Sequence, residues 1–111
     1  MVTITEDIIQ EIAARIAKEA SPRRIVLFGS CARGEIGRDS DVDLLVVEDE
    51  LFGPQRSRFE EINRLRRTLR GLAVPVDLLV FSHDEVERWK DTTNHIIRFA
   101  LREGKTLYER P

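Results

Sequence analysis

Two short apolar runs separated by a glycine-rich connection constrain this chain more than any other feature of its sequence. The runs Arg24–Phe28 and Val42–Val47 are rich in β-branched and aromatic residues, as buried strands are. The connection from Gly29 to Ser40 contains three glycines, which leave room for at most a short helix beginning at Ser30. We therefore predict two buried strands joined by a loop whose shape serves a function.

Helical patterns lie on both sides of these strands. Apolar residues recur with helical spacing from Thr5 to Ala20, and either Thr3 or Thr5 fits as the N-terminal cap. A long and basic second helix is expected to follow Pro54, which suits a first helical turn. Its predicted apolar stripe consists of Phe59, Ile62, Leu65, Leu69 and Leu72.

The last third of the chain adds a strand and two helices. Val74–Phe81 reads as the third strand, and Ser82 with Glu85 forms a capping box that starts a short helix. The final helix should end at Gly104, with a short extended tail after it. The pattern predicts an α/β or α+β fold with a small mixed three-stranded sheet and about four to five flanking helices.

Composition limits the class of protein. The 111 residues predict one domain spanning residues 1–111. Because 18 basic residues face 20 acidic ones, for a net charge of −2, we do not expect direct nucleic-acid binding. The single cysteine, Cys31, cannot form an internal disulfide, and no apolar run approaches the ~20 residues of a membrane span. A cytoplasmic protein without a membrane contact is the expectation.

Three aspartates occupy positions where charge is unfavourable without a partner. Asp41 and Asp43 are two residues apart, so both carboxylates face the same side at the start of the second strand. Asp77 interrupts the apolar run of the third strand. A divalent ion such as Mg²⁺, held by carboxylates and substrate phosphates, would relieve their repulsion. If the third strand lies beside the second, the three carboxylates can hold two metal ions ~4 Å apart, an arrangement for phosphoryl or nucleotidyl transfer.

The loop after the first strand is the predicted phosphate site. Gly29 permits close approach of the backbone, and Ser30 would open a helix whose N–H groups point outward. Ser30 also suits a purely structural role as a helix cap, which is compatible with phosphate binding. Arg33, one turn into that helix, would neutralise a triphosphate or a departing pyrophosphate.

Gly29-Ser30, ten intervening residues and Asp41-Val42-Asp43 match the nucleotidyltransferase signature of the DNA polymerase β superfamily. With the later Pro-Val-Asp-Leu-Leu-Val, the sequence resembles the minimal nucleotidyltransferases, or MNT proteins. The resemblance implies a palm-like nucleotidyltransferase fold and a catalytic half without an appended domain.

The resemblance also implies roles for individual residues. Gly29 and Ser30 would bind the triphosphate, and Asp41 and Asp43 would hold the metal ions. Asp77 would complete the triad and accept the proton of the attacking hydroxyl. Arg33 carries over only as a motif position.

MNT proteins of this length resemble antitoxins that assemble with a helical HEPN partner having ribonuclease activity. The resemblance implies Mg²⁺-dependent transfer of AMP from ATP to a hydroxyl, notably of tyrosine, on the HEPN toxin. Two alternatives remain open: an antitoxin that blocks the HEPN partner sterically, and a nucleotidyltransferase for small molecules of the aminoglycoside kind.

Other conspicuous residues have simpler interpretations. The arginines of the second helix are interpreted as a solvated face carrying Glu–Arg pairs. His83 and His95 have no neighbour spaced for zinc, so no zinc site is expected. Trp89, if exposed, would indicate a partner surface.

Overall fold

The computed structural model describes residues 4–36 and 40–111 and has a mixed α/β fold, as expected from the sequence. The elements follow in the order α1 (Glu6–Ala20), β1 (Arg24–Phe28), β2 (Val42–Glu48), α2 (Arg58–Thr68), β3 (Val76–Ser82), α3 (His83–Trp89), α4 (Ile96–Glu103) and β4 (Lys105–Glu109). No helix within these described ranges is long and apolar enough to cross a bilayer.

The strands form one mixed sheet in the order β3-β2-β1-β4. β1 is antiparallel to β2, and β2 is parallel to β3. The predicted number of three strands is wrong, because the C-terminal tail pairs antiparallel with β1 and forms a fourth strand. Pairing of Tyr108 with Ile25 satisfies the backbone groups along an edge of β1 that would otherwise be open.

Helices cover both faces of the sheet. On one face, α1 and α2 pack on alternate residues of the strands, including Ile25, Leu27, Val42, Leu44 and Val46. On the other face, α3 and α4 pack on the intervening residues, including Val26, Phe28, Leu45 and Val47. This alternation follows from the two-residue period of a strand and assigns each strand residue to one of the two cores.

The helix ends mostly follow the predicted signals. The Thr5 side chain accepts a hydrogen bond from the backbone N–H of Ile8 at 3.2 Å and caps α1. Thr3 lies outside the described residues. The capping box of Ser82 and Glu85 is present, so that prediction is confirmed.

The second helix differs from its prediction. α2 begins at Arg58, after its cap Ser57, because Gly53 and Arg56 pair with each other across a turn that occupies the segment after Pro54. Leu65 is buried as expected, but Phe59 is 74% exposed and does not belong to the apolar stripe. The stripe is therefore shorter than the sequence pattern indicated.

Candidate functional site

One end of the sheet brings the three predicted aspartates together. β1 ends there, and β2 and β3 begin there. The parallel register of β2 and β3 places Asp43 directly beside Asp77, and the antiparallel register of β1 places Phe28 opposite Asp43. Asp41 lies one residue before β2 and is exposed. The expectation that the third strand adjoins the second is confirmed.

The three carboxylates repel one another. Burial, followed by the nearby charges of Asp77 and Asp41, raises the pKa of the half-buried Asp43 carboxyl, and a hydrogen bond shared with Asp77 acts in the same direction. Within residues 4–36 and 40–111, no lysine or arginine forms an ion pair with any of the three. The site therefore carries negative charge that the described part of the chain does not neutralise.

Gly29 lies in direct contact with this group. Its φ of +75° is in the left-handed region, which favours glycine. A Cβ atom at this position would overlap the carboxylate of Asp43. Because glycine has no side chain, the backbone of the loop can lie directly against the carboxylate of Asp43.

The segment after Gly29 is a hydrogen-bonded turn, and the predicted short helix beginning at Ser30 is wrong. The N–H of Glu35 donates to the carbonyl of Ser30 at 2.9 Å, and the N–H of Gly34 donates to the carbonyl of Cys31 at 3.2 Å. This pair of bonds, with Gly34 at φ +79°, is the pattern that ends a helix. It occurs within one turn of Ser30, so no helix develops.

Two side chains hold this turn in place. Arg33 forms an ion pair with Glu35, with 3.1 Å between Nε and Oε2. The structure does not bring Arg33 into contact with the aspartates, and its predicted role in binding phosphate stays a prediction. Buried Cys31 donates through Sγ to the carbonyl of Asp41 at 3.2 Å, which ties the loop to the start of β2.

The donor set suits a hard divalent cation that a substrate helps to bind. In the part of the chain that the structure describes, no three potential ligands converge closely enough to enclose a metal ion by themselves. Mg²⁺ is commonly bound through one or two carboxylates together with substrate phosphates and waters. The adjacent carboxylates of Asp43 and Asp77 fit that mode of binding.

Two groups near the site were not identified from the sequence. β4 begins at Lys105, opposite Leu27, so this lysine lies at the same end of the sheet as Gly29. The ring of Phe99 on α4 packs edge-on against Phe28 at a centroid distance of 6.3 Å. The spacing of apolar residues predicted that Phe99 lies in a helix. It did not show that this helix packs close to the aspartates.

The histidines have structural positions. His95 caps α4, with Nδ1 accepting from the N–H of Ile97 at 3.1 Å, and its ring stacks on Trp89. Trp89 is 36% exposed. The described residues contain no cluster of zinc ligands around either histidine.

Comparison with known proteins assigns the chain to a family. A family described as the nucleotidyltransferase domain matches residues 9–107, and the chain belongs to that family. It is 37% identical to the protein adenylyltransferase MntA of Thermococcus cleftensis, over 67% of this chain and 77% of that protein. It is 31% identical to a protein of Methanocaldococcus jannaschii named as a candidate protein adenylyltransferase, over 78% of each chain.

Solved structures share the fold at lower identity. A nucleotidyltransferase-like protein of Sulfolobus solfataricus has a TM-score of 0.63 at 24% identity, covering 94% of this chain and 79% of its own. A toxin–antitoxin complex with AMP-PNP contains a chain with a TM-score of 0.60 at 21% identity, covering 91% and 73%. A complex of an MNT antitoxin with the tri-AMPylated HEPN toxin of Shewanella oneidensis gives 0.53 at 18% identity, covering 96% and 74%.

Proposed function

We propose that this protein is a Mg²⁺-dependent protein adenylyltransferase that transfers AMP from ATP to a hydroxyl group of a HEPN-type toxin and thereby acts as its antitoxin. The observation that carries the proposal is the meeting of Gly29, Asp43 and Asp77 at one end of the sheet, with negative charge left uncompensated among the described residues. Two relatives named for protein adenylyl transfer support the same chemistry.

The residues divide into a phosphate side and a metal side. In the proposal, the backbone at Gly29 and Ser30 binds the triphosphate, because Gly29, at φ +75°, has no side chain to block the approach of a phosphate to the backbone. Asp41, Asp43 and Asp77 would hold two Mg²⁺ ions that bind together with the nucleotide. Arg33 follows Gly29 and Ser30 closely in sequence, and in the proposal it leaves Glu35 to bind the outer phosphates.

The reaction is a displacement at the α-phosphorus of ATP. The oxygen of the acceptor hydroxyl, taken to be that of a tyrosine, forms the new bond to phosphorus, and the bond to the bridging oxygen of the β-phosphate breaks. Pyrophosphate leaves with the electron pair. The exposed carboxylate of Asp77 accepts the proton of the hydroxyl. Bound Mg²⁺ supplies Lewis-acid stabilisation of the charge on the phosphoryl oxygens.

The proposed partner is supported by the related complexes. We treat residues 1–111 as one minimal nucleotidyltransferase domain acting in the cytoplasm, with the acceptor presented by a second protein in a hetero-oligomer. A complex of an MNT antitoxin with an AMPylated HEPN toxin has a chain of the same fold, which supports a HEPN partner here. An AMP-PNP complex of this fold supports ATP as the nucleotide.

The test is transfer of label from α-labelled ATP to the HEPN partner in the presence of Mg²⁺, followed by intact mass of both proteins. We expect the partner to gain the mass of AMP with the wild-type protein and to remain unmodified with Asp41→Asn. γ-Labelled ATP is the control and should leave no label, because the γ-phosphate departs with pyrophosphate.

Three results would contradict the proposal in different ways. An unmodified partner that is still silenced by the Asp41→Asn variant would favour an antitoxin that blocks its partner sterically. AMP found on an aminoglycoside and not on the partner would favour a small-molecule nucleotidyltransferase. Label retained from the γ position would indicate phosphate transfer instead of nucleotidyl transfer.

A further inference from the structure

A groove of about 470 Å³ runs along the solvent-facing side of α4. Its lining combines the apolar Ile96 and Phe99 with two basic side chains, Arg98 and Arg102, and one acidic side chain, Glu103. Ile96 is 42% exposed and Phe99 is 43% exposed, and because they lie three residues apart on α4 they leave adjoining apolar surface open to solvent. The groove is separate from the aspartates and is not explained by packing of the fold.

The groove lies on the face of the sheet to which the catalytic carboxylates point. Asp43 shares a face with Leu45 and Val47, because side chains alternate along β2, and these residues form the core beneath α3 and α4. Phe28 pairs with Asp43 across β1 and β2, so the two side chains are neighbours on that face. Phe99 contacts Phe28. One aromatic ring therefore separates Phe99 from Asp43.

The basic side chains of the groove are available to a ligand. Arg98 donates to Thr93 Oγ1 at 3.2 Å, and this contact leaves its charge unpaired. Arg102 lies one helical turn beyond Phe99 on the same side of α4 and forms no ion pair with another described residue. An exposed ring flanked by two guanidinium groups suits a flat, polar aromatic molecule that carries negative charge.

We propose that this groove is the base subsite of the nucleotide, with a purine base packed against Phe99 and Arg102 directed towards its phosphates. The inference rests on the proposed nucleotidyl transfer and adds the residues that select a purine nucleotide over bare triphosphate. With the triphosphate at Gly29 and its metal ions at Asp43, the base extends over Phe28 into the groove. In the bound state the purine base then covers the exposed ring of Phe99.

The test compares the binding of Mg-ATP with that of Mg-triphosphate by calorimetry. Phe99→Leu keeps an apolar side chain on Phe28 but removes the ring, so the Kd for ATP should rise about tenfold while the Kd for triphosphate stays unchanged. Phe59→Leu is the matched control, because Phe59 is also an exposed phenylalanine but lies on α2, on the opposite face of the sheet. It should change neither Kd.

Arg102→Gln gives a second, independent variant. It should weaken ATP binding severalfold, whereas Arg67→Gln, on the exposed side of α2, should not. In transfer assays both groove variants should raise the KM for ATP more than they lower kcat.

Other outcomes overturn the inference. Equal weakening of ATP and triphosphate by Phe99→Leu would show a structural role for the ring, and an unchanged Kd for ATP would show that the base lies elsewhere. An unchanged Kd for ATP with loss of complex formation would assign the groove to the partner protein. In these cases the proposed nucleotidyl transfer stands, whereas failure of the wild-type complex to bind either ligand would remove both proposals.

Discussion

Strand β2 carries carboxylates at both ends, and their surroundings are opposite. At its start, Asp43 lies beside Asp77 and near Asp41, with carboxylates as its charged neighbours. At its end, the buried Glu48 forms an ion pair with Arg56, which also approaches Glu61 at 3.5 Å. Asp43 and Glu48 both place negative charge in partly buried positions. The described part of the chain supplies a cation, Arg56, beside Glu48 but none beside Asp43.

Burial raises the pKa of both Asp43 and Glu48, and the two groups differ in whether a cation opposes that rise. Burial raises the pKa of Glu48 to about 7, a hydrogen bond shared with Glu61 adds to this, and Arg56 opposes it. Burial alone would raise the pKa of Glu61 too, but hydrogen bonds from Arg64 and Glu48 bring it below its ordinary value. The Glu48 end is a closed ion-pair network, whereas no described lysine or arginine pairs with the Asp43 end, which agrees with the proposed binding of Mg²⁺ together with the nucleotide. In this proposal one strand carries a structural carboxylate at one end and a functional one at the other.

The largest effect that would test this comparison is on catalysis. Asp43→Asn should lower AMP transfer at least about a thousandfold, because it removes a metal ligand worth several kcal/mol in the transition state. The same change should raise the melting temperature of the protein without metal, since it removes one of three repelling carboxylates. Transfer assays and thermal denaturation measure the two effects. A destabilised variant would mean that Asp43 has a structural role like that of Glu48.

Asp91→Asn is the control for this change. Asp91 is exposed in the turn between α3 and α4, so neither activity nor melting temperature should change.

The second prediction concerns the closed network. Arg56→Met should lower the free energy of unfolding by about 3 kcal/mol, because it leaves Glu48 and Glu61 buried without their shared cation. Activity per folded molecule should be retained. Denaturant unfolding measures the change, and Arg23→Met is the matched control. Arg23 pairs with Asp49 at the surface, where an ion pair contributes less than ~1 kcal/mol. Equal effects of the two variants would contradict the distinction between buried and exposed pairs.

The sequence was sufficient for the parts of the fold and site that rest on local pattern. The apolar runs around Asp77 and after Asp41 located β3 and β2, whereas the parallel register between the two strands is seen only in the structure. The spacing from Gly29 to Asp43 indicated the site before any geometry was known.

Features that depend on tertiary contacts could not be predicted from the sequence pattern. Strand β4 has polar residues at Lys105 and Thr106 and becomes a strand because β1 offers an open edge. Phe59 was assigned to the apolar stripe of α2 but projects into solvent, because it lies six residues before the buried Leu65 and therefore about 120° away from it around the helix axis. The turn after Ser30 stays too short for a helix because Gly34 ends it within one turn.

The third prediction concerns the contact between the loop and Asp43. Gly29→Ala should lower the free energy of unfolding by about 2 kcal/mol and should also impair transfer, because its Cβ displaces the carboxylate and its φ is strained. Gly71→Ala is the control, since Gly71 has a φ of +91° but open space around its Cα. It should show the backbone cost of about 1 kcal/mol and full activity. Full activity of Gly29→Ala would show that the loop does not position Asp43.

The smallest effect is the pH dependence of stability at the Glu48 end. The folded pKa of about 7 lies above the ordinary value of 4.5, so the folded state holds the proton more tightly. The resulting stability is complete below about pH 4.5 and is lost as the pH rises through 7. Glu48→Gln should remove on the order of 2 kcal/mol of this loss between pH 5 and 8. Glu50→Gln, at an exposed carboxylate that also contacts Arg56, should leave the pH profile unchanged in urea titrations. If Glu48→Gln keeps the wild-type pH profile of stability, another carboxyl group of the network binds the proton. The two ends of β2 would then differ less than their ion pairs indicate.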